Sequence, residues 1–371
     1  MTDIIIPTEL LPRDGRFGSG PAKVRPDALA QLGAANDIMG TSHRRDGVKN
    51  VVKSVQEQLA ALYSLPDGYQ VVLGNGGASL FWDMATVSLI QRRSSHGVCG
   101  EFSRKFADNV AAAPFLAPPI VQEAPLGSSI VPLAGDDADV YAWAQNETST
   151  GVQTPVLRPL GSQGDLVLID ATSAAGGMDA DIAATDVYYF SPQKNFSSDG
   201  GLFIAFCSPA ALERSRIITA SDRWVPPILN LTTAADNSEK NQTLNTPAIA
   251  TLLLLDYQLQ WIMANGGMQF ITSRTGTSSS LVYDWAEKHS LATPFVARPE
   301  MRSPVVATID FDEGIDTKAL IKVLNANGIV DIDPYRSLGR NQLRIGVYAS
   351  VEPSDVSALL ASIDYVVERL A

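Results

Sequence analysis

A lysine and an aspartate define the chemistry this chain could do. Lys194 lies in Val187-Tyr-Tyr-Phe-Ser-Pro-Gln-Lys-Asn-Phe-Ser-Ser-Asp-Gly-Gly201, between an apolar, strand-like stretch and a Gly-rich turn. Asp170 closes the apolar run Asp165-Leu-Val-Leu-Ile-Asp170, 24 residues earlier. An amine and a carboxylate, each delivered by the end of a buried strand, are the groups that pyridoxal phosphate chemistry asks of a protein. The amine condenses with the cofactor aldehyde. The acid keeps the pyridine nitrogen protonated, so that the ring accepts electrons. Lysine is mostly a surface residue, and a strand-end aspartate is often a helix cap. The pair carries this reading; neither residue does so alone.

Four further segments could grip anions. Gly74-Asn-Gly-Gly-Ala-Ser79 follows a short strand and precedes a helical pattern. Glycines there let a phosphate approach the backbone, and the helix start offers free N–H groups. The spacing is neither that of a P-loop nor that of a dinucleotide fingerprint. Ser42-His-Arg-Arg45 is a small basic patch in an acidic chain, and paired arginines suit carboxylate and phosphate. Arg344 opens an apolar strand, where an unpaired guanidinium would be costly, and so reads as an anchor for a substrate carboxylate. Arg336 and Arg340, in Tyr335-Arg-Ser-Leu-Gly-Arg340, are looser candidates with surface placement as the simple alternative. Asn245-Thr246-Pro247 precedes a long apolar helix and reads either as its cap or as a phosphate contact.

These residues must be positioned by strands and helices in alternation. Val48, Val51, Val52, Val55, Leu59 and Leu62 recur at helical spacing. Strands are predicted at 69–73, 140–144, 166–169, 187–190 and 202–206, with helices at 26–33, 80–90, 209–216 and 244–264. The result is an α/β protein with a mostly parallel, seven-stranded sheet covered on both faces. Gly266-Gly267 ends the long helix. Beyond it, helices at 270–288, 317–325 and 353–370 and strands at 305–310 and 343–347 predict a smaller α+β part. We place a large domain at 16–265 and a small C-terminal domain at 266–371, with segment 1–15 free to pack on the small one.

Composition narrows the class. The 371 residues carry 28 Lys and Arg against 40 Asp and Glu, a net charge of −12. That argues against a nucleic-acid partner, which needs clustered cations. The most apolar stretch, 252–263, contains Asp256 and is too short to span a bilayer. No signal-peptide pattern opens the sequence. Cys99 and Cys207 form no disulfide framework, and His43, His96 and His289 have no metal-ligand spacing. A cytoplasmic protein without a metal is expected.

Taken in order, Ser19-Gly-Pro21, Ser42-His-Arg44, Gly76-Gly-Ala-Ser79, Asn146-Glu-Thr148, Asp170, Gln193-Lys-Asn195, Asn245-Thr-Pro247 and Leu343-Arg344 resemble the phosphoserine aminotransferases, in their actinobacterial form. That family belongs to the fold-type-I, class-V pyridoxal phosphate enzymes. The resemblance spans nearly the whole chain. It implies pyridoxal 5'-phosphate as cofactor, with Lys194 as its Schiff-base lysine and Asp170 on the pyridine nitrogen. Thr148 and Thr172 would lie near the ring, and Ala78, Ser79 and Gln193 would cradle the phosphate. Asn245 and Thr246 would close that cradle from the other subunit of a homodimer. His43 and Arg44, again across the dimer, would grip the substrate phosphate or the glutamate side chain. Arg344 would take the α-carboxylate. The implied reaction is ping-pong transfer of an amino group between glutamate and 3-phosphohydroxypyruvate, giving O-phosphoserine and 2-oxoglutarate, a step of serine biosynthesis. Pyridoxine biosynthesis is a second setting used by some relatives.

Two departures stand out. Many members stack a tryptophan on the pyridine ring, where this chain offers Phe102. Many also carry His-Arg shortly before the carboxylate arginine, where this chain has Tyr335-Arg336 and further residues before Arg344. The nearest alternative is a class-V aminotransferase of the alanine–glyoxylate or serine–pyruvate type. A cysteine desulfurase would need a nucleophilic cysteine late in the chain, and a non-catalytic module would not need the Asp170–Lys194 pair.

Overall fold

A computed structural model describes residues 4–135 and 137–370. Of the expected N-terminal segment, residues 1–3 lie outside this range, as does residue 371 at the far end. The strands are β1 (Gln70–Asn75), β2 (Ser94–Val98), β3 (Ile120–Glu123) and β4 (Val140–Ala144), then a short pair, β5 (Asn146–Glu147) and β6 (Val152–Gln153). They are followed by β7 (Leu166–Asp170), β8 (Val187–Phe190) and β9 (Leu202–Cys207). Seven of them form one sheet in the order β1-β9-β8-β7-β4-β2-β3. Only β9 runs against its neighbours, β1 and β8; the other pairings are parallel.

The expected sheet is therefore present, although β2 and β3 escape the sequence reading. The reason is composition. β2 is Ser-Ser-His-Gly-Val, yet it is buried throughout between β3 and β4. Its polar groups are satisfied locally: Ser94 Oγ and His96 Nε2 lie 2.8 Å apart, and Ser95 Oγ accepts from Gln122 Nε2 of β3 at 3.1 Å. Burial pushes the His96 imidazole down to about 3, so it stays neutral.

The helices are α1 (Pro26–Ala34), α2 (Asp46–Leu62), α3 (Ala78–Ser88), α4 (Glu101–Ala111), α5 (Pro209–Thr219), α6 (Leu231–Ser238), α7 (Ile249–Ala264) and α8 (Gly267–Lys288). In α2 the six valines and leucines at helical spacing are all buried, as their periodicity requires. α4 and α6 are additions to the sequence reading. α7 starts at Ile249, not Leu244, so Asn245-Thr246-Pro247 does not cap it. The residue before a proline is held out of the helical region, which keeps Thr246 extended and off the helix.

Beyond α8, strands β10 (Ala292–Pro294), β11 (Val306–Phe311) and β12 (Gln342–Gly346) form an antiparallel sheet in that order. It packs with α9 (Thr317–Ala326) and α10 (Pro353–Leu370) around a separate apolar core. Ile6 and Phe17 belong to this core. The Ile6 amide donates to Asn327 Oδ1 at 2.9 Å, and Gly346 N donates to Phe17 O at 2.7 Å. The core of the large sheet reaches across to Val306 and Tyr348. The two parts meet along the carboxyl ends of the parallel strands, the usual place for a ligand in such sheets.

Candidate active site

β4, β7 and β8 end side by side, with Asp170 in register with Ala144 on one side and Tyr189 on the other. Their ends open into a cavity of about 350 Å³. Lys194 leaves β8 through Ser191-Pro192-Gln193 and is buried, 7% exposed. Its Nζ donates to Thr148 Oγ1 at 2.8 Å. Thr148, just after β5, donates in turn to Ser173 Oγ at 2.9 Å. Burial brings the Lys194 amine down to about 8. The carboxylates of Asp170 and Glu147 oppose that shift, and the Arg344 guanidinium adds to it. Relative to an ordinary lysine at 10.5, the charged form is disfavoured by about 3 kcal/mol. About a tenth of the amine is then neutral and nucleophilic at pH 7.

Asp170 has one protein donor on each oxygen. Thr172 N donates to Oδ1 at 2.9 Å, and Trp82 Nε1 donates to Oδ2 at 3.1 Å. Thr172 Oγ1 and Gln193 Oε1 are buried, line the same cavity and have no partner within the described chain. Orphaned polar atoms of this kind are costly unless a ligand meets them.

The anion cradle forms where β1 turns into α3. Gly76 has φ +111°, a conformation that favours glycine, and a Cβ there would collide with Leu80. No side chain caps α3, so its first amides, around Ala78 and Ser79, face the cavity unsatisfied. This is the geometry that receives a phosphate.

One wall is Phe102, in the first turn of α4. Lys194 Nζ stands 5.4 Å from its ring centroid. The turn is held by the fully buried Glu147, whose carboxylate accepts from Phe102 N at 3.3 Å and Ser103 N at 2.9 Å. Gly100 is needed for that approach, because a Cβ there would run into Glu147 and Ser149. At the rim, Tyr335 meets Phe102 edge-on, with centroids 5.6 Å apart, and its hydroxyl accepts from Lys105 Nζ at 3.2 Å. The Arg344 guanidinium lies 5.1 Å from the Tyr335 ring. Its Nη1 donates to Thr148 O at 3.3 Å, and its buried Nε has no partner among the described residues.

Residues 128–332 match the aminotransferase class-V family. The phosphoserine aminotransferase of Nocardioides sp. is 56% identical over 376 residues, spanning 100% of both chains. The chain belongs to the class-V aminotransferases. Among its relatives, the phosphoserine aminotransferase of Corynebacterium glutamicum is 54% identical over 99% of this chain and 98% of its own. A phosphoserine aminotransferase from Cytophaga hutchinsonii superposes with a TM-score of 0.86 over 94% of this chain and 97% of that one. At 22% identity, this last likeness speaks for the fold alone. The fold is that of the fold-type-I aminotransferases.

Of the residues singled out in the sequence, Lys194, Asp170, Thr148, Thr172, Ala78 and Ser79 meet at the cavity, together with Gln193, Phe102 and Arg344. Others do not line it. His43 is buried and Arg44 exposed. His43 Nδ1 lies 3.1 Å from Thr246 Oγ1, and Thr246 O accepts from Asn75 Nδ2 at 2.9 Å. Asn245 and Thr246 are exposed beside them. Arg336 faces a separate, open hollow, and Arg340 there is ion-paired with Asp310. Cys99 lies outside the cavity, and burial pushes its thiol up to about 12. That removes it as a nucleophile.

Trp82 and Glu147 are among the site residues to which the sequence reading gave no role. A signal existed for Trp82, because it follows Ser79 by three residues in one helix and so shares its face. Glu147 gave none, since its partners are the amides of a helix 44 residues away in sequence.

Proposed function

We propose that this chain binds pyridoxal 5'-phosphate in the cavity at the strand ends and uses it to move an amino group between glutamate and 3-phosphohydroxypyruvate. The products are 2-oxoglutarate and O-phosphoserine, in two half-reactions that share one site. The observation that carries this reading is the buried Lys194 amine, lowered to about 8, in one cavity with the Asp170 carboxylate. The 56% identity with the Nocardioides relative supports the choice of substrates.

The donor set fits the cofactor. The free amides at the start of α3, with Ser79 and Gln193, would hold its phosphate. Phe102 would stack on its ring, Asp170 would meet the ring nitrogen, and the orphaned Thr172 hydroxyl would find a partner. When bound, the cofactor supplies an electron sink for the substrate Cα. The protein supplies the rest. Lys194 would carry the proton to and from the substrate Cα as general base and acid. Thr148 Oγ1 keeps the Nζ aimed. Arg344, held by Thr148 O and the Tyr335 ring, presents its free Nε edge to the substrate α-carboxylate.

We also propose a homodimer with shared sites. His43, Arg44, Asn245 and Thr246 cluster away from this chain's own cavity, and His43 Nε2 is buried without a partner among the described residues. These groups would complete the partner's site and recognise a phosphate there. The division into a large domain, 16–265, and a small one, 266–371, draws support from the separate C-terminal core, with the difference that Phe17 packs in that core. Among the described residues no helix is long and apolar enough to cross a membrane. A cytoplasmic location fits that and the buried, free thiols.

Lys194→Ala tests the mechanism. It should retain pyridoxal 5'-phosphate without a covalent link, lose borohydride trapping and lose turnover by at least about 1,000-fold. A variant that transaminates at the parent rate would remove Lys194 from the chemistry.

A further inference from the structure

We propose that Trp82 is a positioning residue that fixes the plane of the Asp170 carboxylate for its contact with the cofactor ring nitrogen. The proposal rests on the assignment of Asp170 made above. The terminal torsion of an aspartate is soft and broad, so a carboxylate at a strand end needs two fixed donors to hold one plane. Asp170 has two. One is the Thr172 amide on Oδ1, at 2.9 Å. The other is the Trp82 indole on Oδ2, at 3.1 Å; the buried Tyr189 hydroxyl lies close to the same carboxylate but makes no hydrogen bond among the described residues.

The indole is itself held. Trp82 is 7% exposed and stacks on Phe106, with centroids 6.2 Å apart and planes 14° apart. Phe106 is buried and pinned edge-on by His96 at 4.9 Å. Trp82 also lines the cavity, one helical turn beyond Ser79. One face of α3 thus serves both ends of the cofactor, its phosphate at the first turn and its ring nitrogen through Trp82. A carboxylate oxygen keeps acceptor capacity after one bond, so Oδ2 can receive the indole and the ring N–H together.

The test uses cofactor-free protein titrated with pyridoxal 5'-phosphate, followed by absorbance, with thermal melting of the same samples. Trp82→Phe keeps a ring against Phe106 and removes the donor. It should melt as the parent does, yet bind the cofactor about tenfold more weakly. Trp82→His, which retains an N–H, should recover part of that loss. Asp170→Ala serves as the reference and should bind far more weakly than either. Parent-like affinity in Trp82→Phe, with Asp170→Ala impaired, would overturn the proposal alone. Parent-like affinity in Asp170→Ala would overturn the assignment of Asp170 beneath it. Equal losses in the Phe and His variants, accompanied by a lowered melting temperature, would reduce Trp82 to packing and likewise overturn the proposal.

Discussion

On the floor of the cavity, Lys194, Thr148 and Asp170 sit at or next to strand ends, and their polar groups are tied to neighbours between 2.8 and 3.1 Å. At the rim, Tyr335 leads into a short turn, Arg336–Leu338, beyond which the chain turns away from the cavity, with Arg336 exposed and Arg340 committed to Asp310. The floor is rigid because every carboxylate and amine there would be costly to bury unpaired. The rim meets solvent, so its charges are screened and worth less individually. The difference assigns bond-making to the floor and choice of substrate to groups nearer the edge. Arg344 belongs to both, being half-buried, hydrogen-bonded to Thr148 and stacked on Tyr335.

The largest effect, after loss of Lys194 itself, concerns pH. Lys194 must be neutral to take up the cofactor, and its amine is lowered from 10.5 to about 8. The rate at which cofactor-free protein captures pyridoxal 5'-phosphate should therefore climb about tenfold per pH unit below 8 and level off above it. Rapid-mixing absorbance between pH 6 and 10 reads this directly. A rate still climbing steeply at pH 10 would mean that burial does not depress this amine. A smaller loss is expected at the junction of floor and rim. Arg344→Ala should lower kcat/KM by between about 10- and 100-fold, mainly through KM. Arg344→Lys should recover little, because an ammonium lacks the planar fork. A loss confined to kcat would move Arg344 from substrate binding into the floor's chemistry.

The floor was legible in the sequence and the rim was not, for physical reasons. Asp170 and Lys194 follow apolar strands buried on both faces, and such runs announce themselves. The α3 cradle follows a strand and a Gly-rich turn, also a local signal. β2 was hidden because its seven-strand context, not its Ser-Ser-His-Gly composition, buries it. α4 was hidden because its first turn is capped by Glu147, a residue from another part of the chain. The start of α7 was misplaced because Asn245-Thr246-Pro247 has the composition of a cap but not its backbone. The resemblance to phosphoserine aminotransferases was carried by these same local motifs, and the relatives at 56% and 54% identity bear it out. The fate of Arg340 depended on Asp310, an acid 30 residues away on β11.

The central claim is that the floor serves any amino donor while phosphate recognition selects the substrate. Single-turnover conversion of the cofactor-loaded protein by O-phosphoserine, serine and alanine tests it most directly. The account predicts that phosphoserine reacts at least about 100-fold more efficiently than the other two, through charge-assisted hydrogen bonds to its phosphate. Comparable efficiencies for all three amino acids would contradict it.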